Sequence, residues 1–193
     1  MTQTLGRAPG GRLIVLSALG IAIAAIVWAP AATGERAALV QAIYSIRASL
    51  LFTTAALVCW PFSDQRSWAL EYWRLLKTAG GTMYLVHFYF TFVLLYGASL
   101  DAVYRDQGVL IASSNLLLTL VWPLEIVITT WKGEPATGAG RAAQAATYTF
   151  VATSFVVAAV FLRGGASRVL GIACIVAVIL AWTARGGLAP QRG

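Results

Sequence analysis

The chain has 193 residues, of which 59% are hydrophobic and only 11% charged, with 14 Lys and Arg against 7 Asp and Glu for a net charge of +7. A soluble domain ordinarily carries about 45–50% apolar and about 25% charged residues, and a globule with so few charges would expose apolar patches that soluble monomers avoid. These totals exclude a soluble enzyme, a disordered chain and a disulfide scaffold, and they predict an all-α, polytopic membrane helix bundle with about six transmembrane helices at ~20 residues per span.

The first apolar run is Leu13 to Ala32, preceded by Arg7 and Arg12. A basic start, an apolar stretch and the A-x-A-like Ala29-Pro30-Ala31 also describe a signal peptide; a retained first span over 13–32 is the expectation. The second span is 38–62. It contains Arg47, so it either begins after that residue or lets the side chain snorkel, and Pro61 ends it. Residues 63–80 interleave Trp68, Tyr72 and Trp73 with Arg66, Glu71, Arg74 and Lys77. Ser63 or Asp64 can cap this stretch, and Gly80-Gly81 can stop it. It reads as an interfacial amphipathic helix with aromatics at headgroup depth.

The third span is predicted over 81–102 and the fourth over 109–131. Asp101, Arg105 and Asp106 fall in a solvated loop between them. A Gly- and Ala-rich loop follows over 132–144, with Gly138-Ala139-Gly140 as a flexible element. The fifth span is 145–162 and the sixth 169–183, with Gly164-Gly165 making their hairpin and RGGLAPQRG as an unstructured tail. No internal repeat or long linker divides the chain, so residues 1–193 read as a single transmembrane domain.

With six spans, Lys and Arg on the side of the N-terminus are Arg7, Arg12, Arg66, Arg74, Lys77, Lys132, Arg141, Arg185 and Arg192. The other side holds Arg36, Arg47, Arg105, Arg163 and Arg168. The excess predicts cytoplasmic N- and C-termini. The basic residues stand singly and form no stripe, so no nucleic-acid partner is expected. The lipid bilayer and other membrane subunits are the expected partners.

An ionisable group within a span costs ~2.5–3.5 kcal/mol on insertion scales and marks a functional-site candidate. Two stand out, His87 in the third span and Glu125 in the fourth. His87 lies six residues after Gly81, and Glu125 six residues before Trp131. At ~1.5 Å per residue both sit about 9 Å below the same interface, so adjacent antiparallel helices place them side by side, facing one bundle interior. On the fourth span Asn115, Thr119, Trp122, Glu125 and Thr129 recur at helical spacing and form one polar stripe. Pro123 within it predicts a kink. Tyr84, His87 and Thr91 share a face of the third span. Tyr84, His87, Asn115, Thr119, Trp122 and Glu125 are therefore the candidate polar seam. Interhelical hydrogen bonding alone is the competing role for such groups.

No metal or cofactor is expected. One histidine and the two isolated cysteines, Cys59 and Cys174, fall short of the four ligands of a zinc site. The chain lacks a phosphate loop, HExxH and GxSxG. Ser49 through the His87 helix is faintly similar to ferric-reductase-like membrane domains in its Trp60-Pro61-Phe62 closure, basic-aromatic connector and histidine span. Those domains pair histidines on two helices, and a single histidine rules out that haem ligation here. YLVHFYF followed by SNLLLTLVWPLEI also resembles small bacterial multipass inner-membrane proteins with a histidine span followed by an N-x-x-x-T-x-x-W-x-x-acid span. The matching positions are His87, Asn115, Thr119, Trp122 and Glu125. This resemblance covers about residues 65–131, implies an inner-membrane protein and carries no activity to transfer. The expected function is a non-enzymatic accessory or interaction subunit. The alternative is a small transporter or membrane enzyme that uses a His87–Glu125 pair for a proton or polar ligand.

Overall fold

The computed structural model describes residues 16, 18–23, 35–161 and 164–188. The described residues contain helices and no strand. Helix α1 is Glu35–Cys59, closed by a 3-10 turn at Trp60–Phe62. Helix α2 is Ser67–Phe88 and runs on as a π-helical segment, Tyr89–Leu95. Helix α3 is Leu100–Lys132, α4 is Gly138–Val156 with a π segment at Val157–Phe161, and α5 is Gly165–Leu188. Five stretches are long and apolar enough to cross a membrane: Arg36–Phe62, Ser67–Leu95, Leu100–Lys132, Gly138–Val160 and Gly165–Gly186. The expected first span lies outside the described residues except for 16 and 18–23, which are helical. Leu19, Ala22 and Ile23 from it pack against Ala42, Met83 and Phe90.

The central helix pair is α1 with α2. Ala38, Ala42, Ser45, Ser49, Thr53 and Ala56 recur at helical spacing and are all buried. Small residues on one face let two backbones approach closely, which is how membrane helices gain van der Waals contact without a hydrophobic drive. The hydroxyls on this face are satisfied locally or across the pair: Ser45 donates to Gln41 O at 2.8 Å, Thr53 to Ser49 O at 2.7 Å, and Ser49 to Gly80 O at 2.8 Å. Ala42 meets His87 and Ser49 meets Gly80, so the two helices run antiparallel.

Residues 67–80 are not a separate interfacial helix. They are the first turns of α2, which continues without interruption through Gly80 and Gly81 into the next span. Both glycines are buried contact points rather than a helix stop. A Cβ on Gly80 would lie 2.6 Å from Thr53 Oγ1 and 3.2 Å from Thr53 N, and one on Gly81 would run into Ile126 Cδ1. Trp73 is buried inside the bundle, whereas Trp68 is exposed. Trp73 stacks on Trp60 at 5.1 Å and meets Tyr148 edge-on at 4.6 Å, while Trp60 also meets Trp182 at 5.9 Å. This aromatic cluster joins α2, α4 and α5 to the 3-10 turn after α1.

Other boundaries shift as well. The third span ends at Leu95, not at 102; residues from Leu100 belong to α3 and precede its break at Gly108 (φ 76°, ψ 162°). That break, in the left-handed range of φ that glycine tolerates, is the non-helical point inside α3. Pro123 lies inside α3, and its dihedrals are not among those that leave the helical range. Gly138-Ala139-Gly140 opens α4, with Thr137 as N-cap accepting from Gly140 N at 3.1 Å. The expected loose tail is helical as far as Leu188, and residues 189–193 lie outside the described residues.

The Gly80 contact yields a prediction. Gly80→Ala forces its Cβ onto Thr53 and is expected to lower stability by about 1–3 kcal/mol, the usual scale of overpacking. Thr53→Ala in the same chain removes the nearest atom and should recover part of the loss. Thermal unfolding of the detergent-solubilised protein reads both effects, and an unchanged melting temperature for Gly80→Ala would show that the helix pair has slack at this point.

Candidate functional site

The polar stripe predicted on the fourth span exists and faces α2. Tyr84 on α2 donates its hydroxyl to Asn115 O at 3.1 Å and lies 3.3 Å from Thr119 Oγ1. Trp122 is fully buried, with ring centroids 5.5 Å from Tyr84 and 6.0 Å from Phe155. Its Nε1 and the Thr91 hydroxyl are buried without a hydrogen-bond partner among the described residues. The Asn115 amide donates to Gln107 at 2.9 Å, toward the end of the helix nearer Gly108.

The expected His87–Glu125 pairing is replaced by other partners. His87 Nδ1 lies 2.8 Å from Ala42 O on α1. A carbonyl only accepts, so Nδ1 carries the proton and the imidazole points toward α1. Glu125 instead meets Lys77, which lies ten residues before His87 on the same helix, about 15 Å at 1.5 Å per residue. The discrepancy traces to the start of α2. Once residues 67–80 belong to the span, the residue opposite Glu125 is Lys77.

Lys77 is the centre of the site. Its side chain is only 2% exposed, and its ammonium donates to Thr129 Oγ1 at 2.9 Å, Glu134 Oε1 at 3.0 Å and Glu125 Oε1 at 3.2 Å. An ammonium has three donors, so these partners use all of them. Nζ also lies 5.2 Å from the centre of the Trp73 ring, where a cation is favoured. Glu125, itself 9% exposed, further accepts from Gln144 Nε2 at 2.9 Å and, on its second oxygen, from the Tyr148 hydroxyl at 2.7 Å. Glu134 sits in the turn between α3 and α4. It accepts from Arg74 Nε at 3.3 Å and from Gln144 Nε2 at 2.6 Å. Two cations, Arg74 and Lys77, thus balance two carboxylates, Glu125 and Glu134. A partly open cavity of about 260 Å³, lined by Arg74, Lys77, Thr78, Thr129, Thr130 and Glu134, reaches this network from outside.

The arrangement is a neutral, hydrogen-bonded clamp across α2, α3, α4 and one turn. In a medium of low dielectric each charge needs its partners, because an unpaired buried charge costs several kcal/mol. Among the described residues no group of three or more His, Cys, Asp or Glu is placed to hold a metal ion; the space between the two carboxylates belongs to the Lys77 ammonium. Lys77, Glu134, Gln144 and Tyr148 were outside the predicted seam. One signal pointed to Lys77. Lys77, Gly80-Gly81, Tyr84, His87 and Thr91 continue a single three-to-four-residue spacing backward from the face already recognised. Glu134, Gln144 and Tyr148 carried no such signal.

Burial pushes the Glu134 carboxyl up, but the Gln144 and Lys77 hydrogen bonds and the Lys77 and Arg74 charges outweigh it and hold the group below its ordinary value of 4.5. A carboxyl lowered by folding adds stability that is present above the ordinary value and lost as pH falls through the folded one. Wild-type protein is therefore expected to lose melting temperature below about pH 4.5 more steeply than Glu134→Gln; parallel curves would count against the network at that residue.

Lys77→Met leaves two carboxylates without their central cation and is expected to cost about 3–5 kcal/mol, the range for breaking a buried pair from one side. The same change in a Glu125→Gln background should cost markedly less, and strict additivity in this double-mutant cycle would contradict the pairing. No protein-family model, curated protein or solved structure matches this chain.

Proposed function

We propose that the chain is a non-enzymatic multipass subunit of a bacterial inner membrane, with cytoplasmic termini, that acts by packing against other membrane chains. The observation that carries this reading is the saturation of the network: all three Lys77 donors and both Glu125 oxygens are spent on neighbours within the fold. Such saturation favours a structural role for the intramembrane charges over proton or ligand transfer. The alternative built on His87 and Glu125 loses its support, because each of those groups is engaged with a different helix.

The outer surface supports the interaction role. Helices α3 and α5 bury only 22% and 17% of their most apolar windows inside the fold. Val109, Leu120 and Trp131 on α3 and Val169, Ile179 and Leu180 on α5 are exposed and apolar, a surface suited to lipid or to partner helices. Orientation is favoured by the described basic residues. Arg66, Arg74, Lys77, Lys132, Arg141 and Arg185 lie toward the end of the bundle holding the 133–137 turn, and Arg36, Arg47, Arg105 and Arg168 toward the other.

Two measurements test the proposal. Purification from native membranes in mild detergent is expected to give a fixed-stoichiometry companion chain, and a monodisperse monomer would overturn the interaction role. With Cys59 and Cys174 replaced, Ala136→Cys should be shielded from a membrane-impermeant thiol reagent in intact cells and Asp101→Cys should be labelled. The reverse pattern would overturn the orientation.

A further inference from the structure

Helices α1 and α5 run parallel. Arg47 meets Ser167, Trp60 meets Trp182, and Asp64 meets Arg185, a nearly constant offset in sequence. Between the first two of these contacts the helices part to leave a groove of about 210 Å³. Leu50 and Leu57 of α1 form one wall and Gly171 and Val178 of α5 the other, with Ala152 and Phe155 of α4 as its floor. It is almost entirely apolar and opens outward at the depth of spanning helices.

The Arg47–Ser167 contact lies just before the groove on both helices. Leu50 follows Arg47 by three residues and Gly171 follows Ser167 by four, so on each helix the groove begins one turn after the Arg47–Ser167 contact and on the same face. Arg47 Nε and Nη2 both donate to Ser167 Oγ, at 3.2 and 3.0 Å, and the guanidinium lies 5.9 Å from the Tyr44 ring centre. Among the described residues no carboxylate lies within ion-pair distance of Arg47, whereas Lys77, Arg74, Arg105 and Arg185 each have one. Arg47 is half-buried in a spanning helix, where a cation without a counter-charge is costly. Ser167 adds a hydroxyl proton, and it sits in the first turn of α5, where free backbone N–H groups favour an anion. Exposed Arg168 lies beside it.

We propose that this groove binds one glycerophospholipid, with an acyl chain between α1, α4 and α5 and its phosphodiester on Arg47 and Ser167. The lipid supplies the counter-charge that the fold withholds from Arg47, and its chain covers an apolar surface that the helices leave open. A planar guanidinium matches phosphate oxygens two at a time, so the head fixes the lipid while the groove accepts any chain of adequate length.

Native mass spectrometry of the delipidated full-length protein tests this with three probes: phosphatidylglycerol, diacylglycerol, which lacks the phosphate, and inorganic phosphate, which lacks the chain. Wild-type protein is expected to bind one phosphatidylglycerol, to bind diacylglycerol more weakly and to keep its lipid in excess inorganic phosphate. Arg47→Gln should weaken phosphatidylglycerol binding about fivefold, the scale of one basic residue near anionic headgroups, and leave diacylglycerol binding unchanged. Ala152→Phe, which fills the groove floor, should abolish the bound lipid while Arg47 is intact. Equal binding of the two lipids, displacement by inorganic phosphate, or undiminished binding by either variant would overturn the proposal. If Arg47→Gln does not fold, Ser167→Ala and Ala152→Phe carry the same comparison.

Discussion

A lysine ammonium held inside a membrane bundle constrains this fold more than any other group. Lys77 is nearly inaccessible, and its charge is tolerable in so apolar an environment only because Glu125 and Glu134 approach from α3 and from the turn that follows it. That requirement fixes the rotation of α2 and α3 about their axes, since Lys77 and Glu125 must face each other. It also fixes where α4 begins. Glu134 must reach back to Lys77, and Gln144 must reach both carboxylates. The aromatic cluster of Trp60, Trp73 and Tyr148 packs over the same region and lowers its access to water.

At the other contact of α2, small residues do the work that charges do here. Ser49, Thr53 and Gly80 bring α1 and α2 close enough for a hydroxyl to bond a helix carbonyl across the interface. The two devices are complementary. Close packing on one face of α2 gives contact area with no polar requirement, whereas the ion network on another face gives a specific register, because a shift of one residue would leave charges unpaired. The outer faces of α3 and α5 carry neither device and are apolar and exposed.

The sequence made the helical class and most spans legible, because a long apolar run in a chain with few charges admits little besides a spanning helix. The 38–62 span, its end at Pro61 and the stripe from Asn115 to Thr129 are found in the structure. The stretch 63–80 was misread for a physical reason: interleaved charges and aromatics describe a helix at the water interface equally well as one whose charges are neutralised by neighbours. Composition cannot distinguish water from a carboxylate as the partner of Lys77. The glycines were ambiguous in the same way, since Gly80-Gly81 suits a helix end as well as a tight crossing.

By itself, the sequence determined the solvent, the helical architecture and the scarcity of groups able to do chemistry, because these follow from hydrophobicity and local spacing. Only the tertiary structure decided which polar groups meet. His87 went to the Ala42 carbonyl, Glu125 to Lys77, and Arg47 to a neutral hydroxyl at the head of an apolar groove. Helical periodicity says which residues share a face of one helix. It says nothing of which neighbouring helix that face meets or at what register, and in a low-dielectric bundle those two choices settle the fate of every charge.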